Sequence, residues 1–454
     1  MSDAIAIVGL GGRFPGSSDV DRFWAALLDE AHCVRTFSEA ELLAAGVPAP
    51  MLADPRYVRA HGWLDGLADF DADAFGYSDD EAALIDPQHR LFLEAAWHAL
   101  QDAGHQPGAV GLTTGVFTGV SVNRYFLRHI YTPAPAGDPD TLVPPGHSPD
   151  YLALRTAYKL DLRGPSVAVQ AACASSLAAV CLAVQSLLDY RCDLAVAGGA
   201  SVAATEPSGY LARDGGLLSP DGVVRAFDAQ SRGTVYGTGA GAVVLKRWED
   251  TAPTDPVYAV IRGCALANDG ARRAGFAAPG TAGLAAAMAE ALAVADVTPR
   301  DIGYIETHGS GTPIGDALEI QAMSSLFRGT AERCLLGSVK TNIGNLDAAA
   351  GIVSLIKAAL AVRHGVIPAT LHHTAPHPDI DLSGGPFEIA VKTGPWPPDA
   401  PPCAGVTSIG LGGLSAHVLL GPPDTPPPAA ATWHTLPLTP FNRRRHWIEA
   451  GGPR

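Results

Sequence analysis

The sequence predicts an α/β protein built around large, buried β-sheets. Of its 454 residues, 47% are apolar and only 17% are charged, so much of the chain must lie in the interior. Short apolar runs bounded by glycine alternate with longer apolar segments of helical length. Strands that are apolar throughout and alternate with buried helices are typical of sheets covered on both faces. The length allows one double-sized domain or two closely joined ones, although no internal repeat is evident.

The first half begins with a strand almost at the first residue. The predicted strands are residues 4–8, 115–122, 166–169, 193–199 and the end of 234–247. The predicted helices are residues 19–29, one helix within 79–103 and residues 174–188. In the second of these, Asp86-Pro87 fits the start of the helix better than its interior. The third is apolar or small on almost every face, which indicates a helix buried inside a large domain.

The second half repeats the alternation of strands and helices. Its predicted strands are residues 257–265, 302–306, 335–339 and 387–391, and one strand within 406–420. Its predicted helices are residues 282–294, one that starts near Asp316 and one long apolar helix after residue 345. We therefore assign residues 1–421 to the folded α/β unit.

Residues 422–454 differ in composition from the rest of the chain. They begin with the run PPDTPPPAAAT, which cannot form a packed core, and they end with LPLTPFNRRRHWIEAGGPR. We interpret them as a proline-rich connector and a basic tail. The arginines at 443–445 beside Trp447 predict either a solvated basic end or a docking strip for an acidic partner.

Charge and cysteine content exclude several classes of function. A formal charge of -15 argues against nucleic acid as the main partner, because phosphate binding needs a basic face. The seven cysteines are scattered, odd in number and never spaced as CxxC, so neither a disulfide framework nor a zinc site is predicted. No signal sequence or membrane-spanning segment is predicted. We expect a soluble, cytoplasmic protein without a bound metal.

The candidate nucleophile is Cys173. It lies between the predicted strand at 166–169 and the predicted helix at 174–188, at a strand-to-helix turn. The N-terminus of a helix presents unpaired N–H groups and the positive end of the helix dipole, and both favour the thiolate. The alternative is a core cysteine like Cys181. The rest of the sequence favours the nucleophile.

Several strings together resemble the β-ketoacyl synthases, specifically the ketosynthase domains of modular polyketide synthases. The resemblance runs from about residue 4 to residue 422, and the tail resembles the linkers that follow catalytic domains in those proteins. The strings are AIVGLGGRFPG, DPQHRLFLEAAWHAL, ACASSLAA, YIETHGSGTPIGDALE, GSVKTNIGN, LHHTAPHPDIDL and GLGGLSAHV. The histidines at 372, 373 and 377 fall in one of these strings, which argues against a metal role for them. The resemblance implies a thiolase-like fold, with two similar halves in α-β-α-β-α layers and a homodimeric assembly.

The resemblance also implies roles for individual residues. Cys173 would take an acyl group from the phosphopantetheine arm of an acyl carrier protein. His308 would stabilise the enolate of an extender unit, and Lys340 would support the site. The backbone N–H groups of Cys173 and Leu411 would form the oxyanion hole. No cofactor bound by the chain itself is implied.

Asn345 departs from the family pattern at the place where a second catalytic histidine is expected. Asparagine donates a hydrogen bond but does not carry or exchange a proton near neutral pH. Acyl transfer to Cys173 needs that group less than decarboxylation does. The sequence therefore predicts a site that is loaded readily but elongates poorly.

The expected substrate pocket also departs from the family pattern. Gln170-Ala171 replaces Asp-Thr before the nucleophile, Leu411 replaces a gating phenylalanine and Leu414-Ser415 replaces Thr-Asn. Tyr236 and Thr238 stand where arginine and glutamate are common. We expect the pocket to be lined by Gln170, Ser310, Thr312, Leu411, Gly412 and Leu414.

The sequence is compatible with three functions. The leading one is a freestanding ketosynthase variant that holds an acyl chain on Cys173 and then cyclises it, by an aldol-type or lactone-forming reaction, or transfers it without decarboxylative elongation. The second is conventional decarboxylative condensation with a malonyl-type extender. The third is a non-catalytic partner subunit, against which the presence of Cys173 argues.

Overall fold

The main feature of the fold is a mixed sheet of 11 strands. The structure is a computed structural model, and it describes residues 4–131, 146–330, 332–382, 385–423 and 433–449. In chain order the strands are β1 (Ile5–Arg13), β2 (Thr114–Val120), β3 (Ser166–Ala168), β4 (Leu194–Ser201), β5 (Gly239–Arg247), β6 (Ala259–Asn268), β7 (Ile302–Glu306), β8 (Cys334–Gly337), β9 (Phe387–Ile389), β10 (Cys403–Ile409) and β11 (Leu414–Gly421). Shorter pairings join Arg35–Thr36 to Ala60–His61, Tyr57–Val58 to Tyr210–Leu211, Asp69–Phe70 to Arg444–Arg445 and Val366–Ile367 to Gly394–Pro395.

The sheet consists of two halves with the same strand order and the same strand directions. The order is β3-β2-β4-β5-β1 in the first half and β8-β7-β10-β11-β6 in the second, with β9 added at the outer edge. In each half the three outer strands of this order are parallel and the remaining pairings are antiparallel. The halves join where β1 pairs with β6. The two similar halves implied by the resemblance are therefore confirmed.

The α-helices lie in three layers around the sheet. Within the described residues they are α1 (Val20–Leu28), α2 (Glu39–Ala44), α3 (Ala49–Leu52), α4 (Asp79–Leu84), α5 (Pro87–Asp102), α6 (Tyr151–Leu160), α7 (Ser175–Leu188), α8 (Ala282–Ala295), α9 (Pro313–Leu326), α10 (Lys340–Ile343) and α11 (Ala350–His364). Side chains of α7 and α11 share one core with strands of both halves, so these helices form the central layer. Side chains of α5 and α6 cover the outer face of the first half, and those of α8 and α9 cover the second. The predicted α-β-α-β-α layering is confirmed.

The helix predicted within residues 79–103 is α5, and a second helix that was not predicted, α4, precedes it in this segment. Ile85 has an extended backbone (φ -72°, ψ 137°) and ends α4. Asp86 then caps α5, with its carboxylate accepting a hydrogen bond from the N–H of Gln88. Pro87 disfavours a helical conformation in the preceding residue, so the helix cannot run through this point. The predicted start of a helix at Asp86-Pro87 is confirmed.

The single strand predicted within residues 406–420 is also wrong, because this segment is the hairpin of β10 and β11. Its turn places Gly412 at φ 117° and Gly413 at φ 95°, both in the region that favours glycine. The apolar character of the whole segment hid the reversal, since both strands are buried.

The C-terminal tail packs against the folded unit rather than projecting from it. Residues 424–432 and 450–454 of the predicted connector and tail lie outside the described residues. Within 433–449, the guanidinium of Arg443 lies 3.0 Å from the carboxylate of Glu94, which also pairs with Arg13 at 3.3 Å. The Trp447 ring lies 4.4 Å from the ring of Tyr125, centroid to centroid.

The charges of the tail are paired within the chain. Besides the Arg443–Glu94 pair, Arg444 pairs with Asp73 at 2.7 Å, and Arg445 pairs with Glu449 at 2.7 Å. Arg443 is therefore not part of a solvated end, whereas the side chains of Arg444 and Arg445 stay 51% and 61% exposed, and a docking role of the tail stays a prediction.

We predict that the Arg443–Glu94 pair anchors the tail. Replacing Arg443 by alanine leaves a buried carboxylate, 2% exposed, with only one of its two cationic partners. We expect the R443A variant to lose about 1 to 3 kcal/mol of unfolding free energy in urea titrations. Arg445, 61% exposed, is the matched control, and its R445A variant should lose less than about 0.5 kcal/mol. Equal losses in the two variants would contradict the anchoring role.

Candidate active site

Cys173 lies in a tight turn between β3 and α7. The turn is a 3-10 segment, Ala172–Ala174, and Ala172 adopts φ 50°, which is unusual for a residue with a side chain. The hydroxyl of Ser175 accepts from the N–H of Ala171 at 2.8 Å and donates to the carbonyl of Ala172 at 2.7 Å. The hydroxyl of Ser408 on β10 donates to the carbonyl of Cys173 at 2.8 Å. These bonds fix the backbone of the predicted nucleophile at the junction of the two halves.

The environment of Cys173 favours the thiol over the thiolate. Its Sγ lies 3.4 Å from Oδ1 of Asp347. Burial, followed by this neighbouring carboxylate, raises the pKa of Cys173 to about 12, against the smaller opposing effects of Lys340 and Asn345. The predicted thiolate at this helix N-terminus is therefore not favoured, because burial and the Asp347 carboxylate have the largest effects on the pKa. The physical reason is that α7 begins only at Ser175, while a negative charge directly faces the sulfur.

His308 is held as a neutral imidazole in a loop after β7. The carboxylate of Glu319 accepts from the backbone N–H groups of His308 and Gly309 at 2.7 and 2.8 Å. The N–H of Ile409 donates to Nδ1 of His308 at 3.3 Å. Burial, followed by the charge of Lys340, sets the pKa of His308 well below its usual range. The neutral ring thus carries its proton on Nε2 and is a donor at that atom.

Lys340 supports the loop that carries His308. It begins α10, is only 2% exposed, and donates from Nζ to the carbonyl of His308 at 2.5 Å. Burial is the largest influence on its pKa and lowers it, although the carboxylates of Glu306 and Glu319 act in the opposite direction. The ammonium group therefore orients His308 through its backbone.

Asn345 lies against the candidate nucleophile. It is 3% exposed, and it lies close enough to Cys173 to lower the pKa of the thiol slightly. Its Oδ1 accepts from the N–H of Asp347 at 3.1 Å. Its backbone N–H and carbonyl pair with Val235 and Gly237 on either side of Tyr236. The structure thus brings Cys173, His308, Lys340 and Asn345 together, as the sequence predicted.

Five of the six predicted pocket residues lie in two places, one beside the Cys173 turn and one beside His308. The hairpin turn that contains Leu411 and Gly412 lies beside the Cys173 turn, since a Cβ on Gly410 would come within 2.2 Å of the carbonyl oxygen of Ala171. Leu411 itself is 58% exposed, and Leu414 begins β11. The second group is next to His308, where the hydroxyls of Ser310 and Thr312 lie 2.8 Å apart. Gln170 is exposed at the surface.

Three acidic residues near the site were not identified from the sequence. Asp347 faces Cys173, and Glu319 binds the loop of His308. Asp316 accepts from the N–H of Phe227 at 2.8 Å and of Gly311 at 3.2 Å. Asp316 and Glu319 are three residues apart on α9, a spacing that puts both on one face of a helix. That spacing was the available signal for this pair, whereas nothing in the sequence near Asp347 showed that it would meet Cys173.

The residues that the structure describes show no metal site and no membrane span. No group of three or more His, Cys, Asp or Glu side chains in this part of the chain is arranged to hold a metal ion. No helix among the same residues is long and apolar enough to cross a bilayer.

The chain belongs to the β-ketoacyl synthase family. The family profile "Beta-ketoacyl synthase, N-terminal domain" matches residues 2–251, and "Beta-ketoacyl synthase, C-terminal domain" matches residues 258–374. The fold and the family together identify it as a ketosynthase of the polyketide synthase type, a class of acyl-transferring enzymes.

Its relatives include large polypeptides of polyketide synthases. One phenolphthiocerol/phthiocerol polyketide synthase polypeptide of Mycobacterium tuberculosis H37Rv is 44% identical over 434 residues, which are 92% of this chain and 29% of the relative. A second polypeptide of the same synthase, from the same strain, is 41% identical over 426 residues, 92% of this chain and 27% of the relative. This chain therefore spans less than a third of the length of these relatives.

Solved ketosynthase structures share the fold. Ketosynthase twelve of the bacillaene polyketide synthase from Bacillus amyloliquefaciens has a TM-score of 0.85 at 35% identity, covering 94% of this chain and 76% of that one. The oxazolomycin ketosynthase domain from Streptomyces albus JA3453 has a TM-score of 0.82 at 35% identity, covering 93% and 76%. The predicted thiolase-like fold is confirmed.

We predict an unusual pH profile for alkylation of Cys173. An ordinary cysteine has a pKa of about 8.5, so its alkylation levels off above about pH 9. Because the pKa of Cys173 is about 12, its alkylation by iodoacetamide should rise about tenfold per pH unit up to about pH 10. Peptide mass spectrometry resolves this site from the other six cysteines, and the Cys173→Ala variant supplies the blank. A plateau below about pH 9 would contradict the buried, carboxylate-facing thiol.

Proposed function

We propose that this ketosynthase accepts an acyl chain on Cys173 and releases it without decarboxylative elongation. The donor is the phosphopantetheine thioester of an acyl carrier protein. The observation that carries the proposal is the position of Asn345 beside Cys173, because Asn345 occupies the place where the family pattern expects a second histidine. His308 and Lys340 lie in the same site as Cys173, and we assign them to the steps that follow its acylation.

The missing histidine affects decarboxylation of a malonyl extender more than acyl transfer to Cys173. Decarboxylation of a malonyl thioester builds negative charge on the thioester oxygen, and a donor aimed at that charge is worth about 3 to 4 kcal/mol. That corresponds to about a hundredfold to a thousandfold in rate. Transfer of an acyl group to Cys173 builds charge on the carbonyl oxygen of the acyl donor instead. We assign that oxygen to the backbone N–H groups of Cys173 and Leu411, which the close packing of Gly410 on Ala171 supports.

The acyl group bound to Cys173 has two possible reactions, cyclisation and transacylation. In cyclisation, a hydroxyl or an enolisable carbon of the same chain attacks the carbonyl, and we assign His308 as an acid–base group for this step. In transacylation, a second thiol attacks. The departures at the expected pocket residues favour cyclisation, because a remodelled cavity is needed to fold a chain back on itself. We propose a cytoplasmic location because the seven cysteines are scattered and odd in number, which suits a reducing compartment.

We further propose that the protein is a homodimer that pairs through the β3 edge of the sheet. β3 is the outermost strand of the first half, so one side of its backbone has no strand beside it in this sheet. Val167 on β3 is 39% exposed, and Val122 and Leu127, which follow β2, are 64% and 58% exposed. Apolar side chains around an open strand edge fit a self-complementary interface.

The assembly is tested with two matched valines. The Val122→Lys variant places a charge in the proposed interface and should weaken dimerisation about tenfold or more, since an unpaired interfacial charge costs at least about 1.4 kcal/mol. The Val294→Lys variant carries the same change on α8 at a valine that is 59% exposed. It should leave the dimer intact. Light scattering after size-exclusion chromatography measures both, and equal behaviour of the variants would contradict this interface.

The reaction is tested by supplying an octanoyl carrier protein together with a malonyl carrier protein. We expect an octanoyl adduct by intact-protein mass spectrometry, none in the Cys173→Ala variant, and little release of carbon dioxide. Rapid carbon dioxide release with a chain-lengthened product would instead establish conventional condensation. The absence of any adduct on the native protein would favour the non-catalytic partner subunit.

The Asn345→His variant is the positive control for the same assay. Restoring an imidazole beside Cys173 should raise malonyl decarboxylation while the octanoyl adduct still forms. An unchanged rate of decarboxylation would show that residue 345 does not limit elongation.

A further inference from the structure

The carboxylate of Asp347 is held between two donors, the hydroxyl of Ser121 and the thiol of Cys173, the candidate nucleophile. Its Oδ1 faces the Sγ of Cys173 at 3.4 Å, and its Oδ2 accepts from the hydroxyl of Ser121 at 2.7 Å. The N–H of Ala348 donates to the same hydroxyl of Ser121 at 3.4 Å. Asp347 itself adopts φ 45° in a 3-10 turn, Asp347–Ala349. The hydrogen bond from Ser121 and the contact with Cys173 position the carboxylate, and aspartate adopts this left-handed backbone more readily than most residues.

The side chains of Asn345, His308 and Lys340 are not placed to accept the proton of the Cys173 thiol. Asn345 has an amide, which does not take up a proton near neutral pH. The Nδ1 of His308 already accepts from the N–H of Ile409, so its other nitrogen carries the proton. Lys340 donates to the carbonyl of His308. Among the described groups around Cys173, the Asp347 carboxylate is therefore the base that is in hydrogen-bond contact with the sulfur.

We propose that Asp347 is the acid–base residue of this site, taking the proton of Cys173 during acylation and returning it to the leaving thiol. This inference rests on the acylation of Cys173 proposed above. The bond from Sγ to the acyl carbon forms as the bond from that carbon to the phosphopantetheine sulfur breaks. The proton passes from Sγ to Oδ1 and then to the departing sulfur, so the carrier leaves as a free thiol and the carboxylate is ionised again.

The same carboxylate restricts the second half of the reaction. Once Cys173 is acylated, Asp347 is an ionised base beside the thioester and accepts a proton from a neutral hydroxyl or thiol that attacks the acyl carbon. A malonyl group enters with its own negative charge and decarboxylates to an enolate, and both would face Asp347 across a poorly solvated site. The site therefore selects uncharged O–H or S–H nucleophiles, which favours lactone formation or transacylation over carbon–carbon bond formation.

Other charged groups near Cys173 and Asp347 do not cancel the effect of the Asp347 carboxylate on the thiol. Lys340 acts on Cys173 in the opposite direction to Asp347, but more weakly. Tyr236 faces both groups, and burial followed by their charges raises its pKa to about 12, so it stays neutral. The charge of Arg124 acts on the pKa of Tyr236 in the opposite direction. Asp347 is thus the anionic group that touches the reacting sulfur.

The test compares two rates in the Asp347→Asn variant. Asparagine keeps the shape of the side chain and tolerates a left-handed backbone. Removing the charge should lower the thiol pKa, so alkylation of Cys173 by iodoacetamide at pH 8 should rise about threefold for each unit of that fall. Acylation by octanoyl N-acetylcysteamine thioester, which imitates the end of the phosphopantetheine arm, should fall about a hundredfold because the proton acceptor is gone.

A matched control carries the same substitution at another left-handed aspartate. Asp296, exposed at the end of α8, has φ 51°, and Asp296→Asn should change neither rate. A merely structural role of Asp347 would make alkylation and acylation fall together and would overturn the proposal. Native rates of acylation in Asp347→Asn would overturn it as well. If the native protein itself forms no acyl adduct, the proposed function fails, while a rise in alkylation of Asp347→Asn still establishes the coupling of the carboxylate to the thiol.

Discussion

The close packing of α7 against α11 is the constraint on which the active site depends. A Cβ on Gly351 would come within 2.6 Å of the Cβ of Leu177, so the two helices meet at a point where only glycine fits without a shift. The N–H of Ile352 donates to the hydroxyl of Ser176 at 3.0 Å across the same contact. Each helix is preceded by a 3-10 turn, and the contact sets these turns face to face. Cys173 is on one turn and Asp347 is on the other.

The two turns occupy equivalent places in the two halves of the fold. Ala172 and Asp347 each open a turn with a left-handed backbone, at φ 50° and 45°, and each turn leads into one of the two central helices. One half contributes the sulfur and the other contributes the carboxylate beside it. The loop of His308, held by Glu319 and Lys340, then completes the site from the second half. The repeated topology thus supplies two similar scaffolds with different chemistry on each.

Burial and a neighbouring negative charge together determine the protonation state of the Cys173 thiol. A thiol that is buried beside a carboxylate stays protonated, and this sulfur differs in that respect from one activated by a helix or a neighbouring cation. Such a thiol needs a proton acceptor at the moment of attack, and the carboxylate that suppresses its ionisation is also in contact with its proton. An amide at Asn345 adds a hydrogen bond but no further charge. These properties are the basis of the proposed acyl-holding function.

Local sequence determined most of the elements and pointed to Cys173 as the candidate nucleophile. Glycine-bounded apolar runs marked the strands of both halves, and Asp86-Pro87 marked the start of α5, because these signals act within a few residues. The resemblance in ordered strings then placed His308, Lys340 and Asn345 near Cys173. The hairpin of β10 and β11 and the direction of the shift in the pKa of Cys173 depended on groups far apart in the chain. Only the packing of α7 on α11 brought Asp347 to the sulfur across 174 positions of sequence, and a contact of that separation leaves no local pattern.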